Sequence, residues 1–211
     1  MLKHCTLTAS IIFCATAPGV PFAQDLNFTP AAIVDWPVRK FEERSTYQLQ
    51  DGVLDASCKA GQASALYLEK EIGLSEHPYL NWRWRLMQPP LALDEERVKA
   101  GDDYSARVYA VAERGLFGLS SKAINFVWTY DQPIGASWPN PFTEQAMMVA
   151  MRNQSSPINE WVTEKVHLPD HFQRHYDLQL EAIDGLALMV DCDNAGGERR
   201  FQLQRIWFSA E

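Results

Sequence analysis

The stretch Tyr79-Leu80-Asn81-Trp82-Arg83-Trp84-Arg85-Leu86 decides how this chain is read. Side chains alternate between the two faces of a β-strand. Leu80, Trp82, Trp84 and Leu86 then share one face, and Asn81, Arg83 and Arg85 share the other. The first face suits an apolar core. The second carries hydrogen-bond donors about 7 Å apart, two residues at roughly 3.3 Å each. A guanidinium is a planar fork of donors, so an arginine row on a rigid sheet can grip an anionic or polyhydroxylated ligand.

The same alternation recurs along the chain. Strands are expected over 47–49, 53–59, 64–72, 79–87, 104–113, 123–130, 145–151, 161–168, 186–193 and 201–208. The turn Gln50-Asp51-Gly52 separates the first two, and a glycine-containing turn is expected over 115–121. Two short helices are expected, over 93–99 and 169–176, the second opening on Pro169 and Asp170 as a first helical turn does. Residues 28–36 read as irregular. Many short strands at regular spacing predict an all-β chain, a β-sandwich with one or two short helices. Loops over 88–102, 131–142 and 153–160 are long enough to carry binding residues.

With 211 residues and 46% hydrophobic content, one domain with a sizeable core fits. The net charge of -8 argues against a general nucleic-acid binder and against adhesion to anionic lipid, while leaving room for a local basic patch. Lys3 and His4, then an apolar run over 7–17, read as a secretory signal too short to span a membrane. Cleavage after Ala23 makes residues 1–23 the signal and 24–211 a single β-sandwich domain, periplasmic or secreted, with no membrane anchor in the mature chain. Cys5 and Cys14 leave with the signal. Cys58 and Cys192 remain, each on the apolar face of an expected strand, and both one disulfide and a pair of buried thiols fit.

Arg83, Arg85, Arg107, Asn125, Asp191 and Asp193 each fall on the polar side of an alternating strand. Should those faces coincide, they form one Arg/Asn/Asp cluster on a sheet, with the arginines donating and Asn125, Asp191 and Asp193 orienting them. Asn81, Asp103 and Asn194 complete the polar set, and Tyr104 and Trp138 could stack on a sugar ring. The plain alternatives are cross-strand salt bridges on a solvated face, and a Trp138 that merely packs its loop. Asp191 to Gly197 starts like a calcium loop, but Ala195 and Gln202 stand where ligands are needed, so an EF-hand is rejected. His171 and His175 share a helix face that is expected to be solvated. With no dinucleotide, phosphate-loop or nucleophile-elbow motif, no cofactor and no metal are expected.

Five ordered segments carry a resemblance: residues 78–85, 101–109, 123–128, 140–143 and 189–197. Together they resemble the bacterial domain-of-unknown-function family 3047, typically exported proteins, over nearly the whole mature chain. That resemblance implies no activity. Cys192 stands where the family pattern usually has Thr, which suits a private disulfide with Cys58. The final strands are more loosely similar to galactose-binding-like jelly rolls. The resulting expectation is an exported module that binds a glycan or another small polar or anionic ligand. An enzyme acting on a cell-envelope polysaccharide, and a structural or interaction module, are the alternatives.

Overall fold

Trp82 and Trp84 turn inward from the middle of one sheet and meet Phe126 and Trp128 of the other, at ring-centroid distances of 5.3 and 5.6 Å. All four are fully buried. This aromatic layer joins two sheets in a computed structural model that describes residues 26–92, 95–113 and 121–211. Strands are numbered in chain order. The six-stranded sheet runs β11 (Val162–His167), β6 (Tyr79–Leu86), β13 (Glu198–Ser209), β4 (Val53–Lys59), β3 (Thr46–Gln50), with β1 (Asn27–Phe28) also on β13. The seven-stranded sheet runs β2 (Val38–Lys40), β5 (Ala63–Gly73), β12 (Ala182–Asp191), β7 (Arg107–Ala112), β8 (Lys122–Trp128), β10 (Thr143–Arg152), β9 (Ser137–Asn140). The chain crosses between sheets at each step from β4 to β7 and again from β11 to β13. The order β4-β13-β6-β11 facing β5-β12-β7-β8, antiparallel throughout, makes this a β-sandwich of the jelly-roll kind. Only β10 runs parallel to its neighbour β8 among the described pairs.

The expected strands are found, with shifted ends. β7 begins at Arg107 rather than residue 104, because Asp103 and Tyr104 are turned to tertiary partners. The helix over 169–176 is present as α2 (Leu168–Tyr176). The helix expected over 93–99 is not. Residues 93 and 94 lie outside the described residues, 95–98 are not helical, and a single 3-10 turn spans Lys99–Gly101. The Glu96 carbonyl accepts the Tyr104 hydroxyl, so it is spent on a tertiary contact rather than a helical one. A short helix α1 (Pro30–Val34) replaces the irregular segment expected at 28–36. Thr29 caps it by accepting from the Ala32 amide at 3.3 Å, and Pro30 occupies its first turn. The turn expected over 115–121 and the signal over 1–23 lie outside the described residues, save Ser121. No described helix is long and apolar enough to cross a membrane.

Cys58 and Cys192 form a disulfide, with Cα atoms 5.9 Å apart and a sequence separation of 134. It ties the end of β4 in one sheet to the residue after β12 in the other. Closing so long a loop removes much chain entropy from the unfolded state. A Cys58→Ala/Cys192→Ala variant is expected to lose about 2–5 kcal/mol of stability. Urea unfolding of the two proteins checks this, and equal midpoints would refute it.

Candidate functional site

Arg107 leaves β7 on the outer side of the seven-stranded sheet and is only 2% exposed. A buried guanidinium requires charge partners. Asp191, at the end of neighbouring β12, faces it in a fork: Nε donates to Oδ1 at 3.1 Å and Nη2 to Oδ2. Asp102, in the loop before β7, accepts from Nη1 and Nη2 at 3.3 Å through Oδ2, and its carbonyl also accepts from Nη2. The Tyr104 ring lies 4.7 Å from the guanidinium carbon, and the Tyr104 amide donates to Asp191 at 3.0 Å. All three guanidinium nitrogens are thus engaged within the protein.

Two further buried carboxylates fasten the loops around this pair. Asp103 accepts from the backbone amides of Asn194, Ala195 and Gly196 at 3.1, 2.8 and 3.2 Å, which holds the turn between β12 and β13. Arg199 sits 3.6 Å from it. Glu96 accepts from the amides of Tyr130 and Asp131 and from the Gln132 side chain, so the loop before β7 is stitched to the loop after β8. Gly101 permits this: a Cβ there would run into the Glu95 carbonyl oxygen.

These elements enclose a cavity of about 380 Å³ on the outer face of the sheet, within the usual range of small-ligand pockets. Its floor is Arg107, Tyr109, Asn125, Met189 and Asp191, with Ala63 and Ala146 at the sides. Phe41 and Phe142, 53% and 52% exposed, stand on the rim with Asp102, Asn140, Asp193 and Asn194. Asn125 is 2% exposed; its amide nitrogen meets the Met148 sulfur at 3.2 Å, and its Oδ1 has no hydrogen-bond partner among the described residues.

Asp102, Asp103, Asp191 and Asp193 face two arginines, Arg107 and Arg199. Burial, reinforced by the neighbouring carboxylates, pushes Asp191 up to about 7 against the pull of Arg107. Burial also raises Asp102 and Asp193. Burial pulls on Arg107 too, but Asp102 and Asp191 outweigh it and hold it well above the usual guanidinium value. The arginine therefore stays charged, and the raised carboxyls reflect the cluster's burial and its excess of acids over arginines. Oxygens of Asp103, Asp191 and Asp193 lie within 4.8 Å of one another, a spacing that could hold a cation. Asp103 and Asp191 are already committed to amide and guanidinium donors, so Asp193 alone is largely open.

The single Arg/Asn/Asp cluster expected from strand alternation is divided between two sheets. Arg107, Asn125, Asp191, Asp193 and Asn194 come together at the pocket. Asn81, Arg83 and Arg85 lie on β6, on the outer face of the other sheet, with the whole sandwich between. Alternation assigns a side chain to a face but does not say to which sheet. Asn81 donates to the carbonyls of Tyr79 and Trp207 and to Ser209 there. Asp103 is a buried anchor rather than a pocket-lining group. Tyr104 and Trp138, 1% and 5% exposed, pack on each other and on Met148, out of reach of a sugar ring. Trp138 packs on the body as the plain alternative had it, but from strand β9 rather than from the loop expected over 131–142. His171 does not face solvent as expected. It packs edge-on against Phe126 at 5.1 Å, and burial lowers its pKa to about 4.

Sequence reasoning did not place Asp102, Asn140 or the aromatic rim of Phe41 and Phe142 at the pocket. Asp102 and the 140–143 segment were visible as motifs, but nothing in their spacing brings them to β7.

A family model described as protein of unknown function, DUF3047, matches residues 34–207. The chain belongs to that family. No curated protein matches it. Among solved structures, the Emp46p carbohydrate recognition domain in its potassium-bound form is 10% identical, with a TM-score of 0.46 over 85% of this chain and 90% of that one. A family 29 carbohydrate-binding module is 9% identical, with a TM-score of 0.38 over 82% and 78%. The Endo-D glycoside hydrolase domain from Streptococcus pneumoniae R6 is 12% identical, with a TM-score of 0.41 over 83% of this chain and only 22% of that one.

The division between sheets makes the arginines unequal. Arg107→Gln strands two buried carboxylates and is expected to cost about 3–5 kcal/mol. Arg85→Gln, with the half-buried Arg85 guanidinium hydrogen-bonded, among the described residues, to Gln202 and the Asn159 carbonyl and to no acid, is expected to cost less than about 1 kcal/mol. Equal losses in chemical denaturation would contradict this assignment.

Proposed function

We propose that the protein is an exported binding module whose pocket on the seven-stranded sheet takes a neutral, polyhydroxylated ligand of the sugar class. The observation that carries this reading is the Asn125 side chain, buried in the pocket floor with an unsatisfied Oδ1. A buried acceptor without a partner costs about 1–3 kcal/mol, and a ligand hydroxyl would recover it. Asp102, Asn140, Asp193 and Asn194 offer further oxygens and amides around the rim. Phe41 and Phe142 offer apolar faces beside them, as sugar-sized ligands with one apolar side require.

The charge count selects among polar ligands. Four carboxylates against two arginines repel a phosphate or sulfate, and Arg107 has no open fork for one. Hydroxyl groups, which donate to carboxylates, suit the site better. Binding is favoured over catalysis because Asp102 and Asp191 are both paired with Arg107, rather than standing as unpaired carboxyls over the cavity.

A screen of neutral mono- and oligosaccharides by calorimetry or ligand-observed NMR tests the proposal. Hits on the wild type are expected to weaken about tenfold in Asn125→Ala, since each 1.4 kcal/mol is a factor of ten. Hits that survive Asn125→Ala unchanged, or a preference for phosphorylated sugars, would overturn it.

Export is supported by the signal-like start, with its apolar run over 7–17, and by the Cys58–Cys192 bond, since disulfides persist in oxidising compartments. Protein recovered from a bacterial periplasm is expected to begin near Gln24 by intact mass. An unprocessed chain confined to the cytosol would refute the export claim.

A further inference from the structure

The six-stranded sheet presents its own outer face, and its chemistry is opposite to that of the pocket. Arg83 on β6 and Arg205 on β13 are direct cross-strand partners. Like charges set opposite one another destabilise a sheet. No acid separates them: on the far side of Arg83, β11 contributes Thr163. Arg85 and Lys165 lie on the same face, and among the described residues none of the four cations has a carboxylate within ion-pair distance. The Arg83 Nε is buried without a hydrogen-bond partner. This basic face belongs to a chain of net charge -8.

Each cation is held by an aromatic ring instead of an acid. The Arg85 guanidinium lies 4.5 Å from the Trp161 ring and Arg83 lies 6.0 Å from it, Arg205 is 4.0 Å from Trp207, and Lys165 is 4.4 Å from Tyr79. Stacking on a ring fixes a guanidinium without neutralising it. It also covers the ring face and leaves the guanidinium edge of Arg205 and the Nη groups of Arg83 for a ligand, whereas the Arg85 edge is spent on Gln202 and the Asn159 carbonyl. A hydrogen-bond chain from Arg85 through Gln202 to Asp55 and Arg200 continues the surface into a polar groove of about 650 Å³.

From the unneutralised Arg83/Arg205 pair and its aromatic supports, we infer that this face is a second binding surface, for a carboxylate-bearing polysaccharide. Carboxylates lying between Arg83 and Arg205 would relieve the cross-strand repulsion and accept from both forks. The charge complementarity is that of a sparse polyanion. A nucleic acid carries one charge per about 1.7 Å of duplex, and the remainder of this acidic chain would repel so dense a polymer. A membrane is disfavoured because the face offers stacked, half-buried rings rather than side chains free to insert.

The test measures binding of the full mature chain to polygalacturonate, beside neutral dextran, single-stranded oligothymidylate and phosphatidylglycerol vesicles. Polygalacturonate is expected to bind, to weaken as salt rises, and to weaken by about tenfold or more in Arg83→Gln/Arg205→Gln, a loss of roughly 1.4 kcal/mol or more. That variant is expected to melt at or above the wild-type temperature, because a like-charge pair is removed. A charge-matched Arg39→Gln/Lys40→Gln variant, altered on β2 of the other sheet, is expected to bind as wild type does. No binding to polygalacturonate, equal loss in both variants, or equal or tighter binding to oligothymidylate or vesicles would overturn the inference.

Discussion

Arg107 lies on the outer side of a sheet, yet the chain buries it, and a buried guanidinium stays folded only among carboxylates that are themselves held in place. That requirement organises one side of the molecule. Asp191 meets the guanidinium from β12 and Asp102 meets it from the loop before β7. The next residue, Asp103, then reaches the amides of the turn that leads into β13. Cys192, directly after Asp191, is bonded to Cys58 in the opposite sheet, so the acid facing Arg107 is anchored covalently as well as electrostatically. Take away the arginine, and the loop before β7, the end of β12 and the turn beyond it lose their common partner.

The same constraint decides what the pocket can bind. An arginine consumed by two aspartates is a positioning group, and what remains open to a ligand are carboxyl and amide groups on a partly aromatic rim. The opposite face of the sandwich, roughly 10 Å away through the core, reverses the pattern. There Arg83, Arg85 and Arg205 stack on indoles and, among the described residues, have no acid within ion-pair distance. The two outer faces of one domain thus differ in sign, although the sequence presents their residues in the same alternating idiom.

Much of the fold was legible because the period of two is a local property. Trp82 and Trp84 were read as core and are fully buried, and the β4 boundaries coincide with those read from the sequence. What failed was anything that depended on long-range partners. Residues 95–98 lack helix because the Glu96 carbonyl and carboxylate are drawn to Tyr104 and to the 130–132 loop. Tyr104 and Trp138, plausible as stacking platforms by residue type, are buried by contacts with each other and with Met148. Phe41 carries no pattern of its own and Asn140 stood only in a motif without a position; both reach the pocket because β2 and β9 border it in space.

Local pattern assigned the faces: which side chains of each strand point to the core and which point away, and hence a two-layered β-fold with polar outer rows. Side-chain alternation follows from backbone geometry and needs no partner strand. Which outer rows share a sheet was set by the long-range crossovers of the folded chain. The jelly-roll crossovers send β6 to one layer and β7 to the other, so Arg83 and Arg107, alike in local setting, end on opposite sides. One then meets Asp102 and Asp191, which balance its charge, while the other faces Arg205 and has no counter-charge among the described residues.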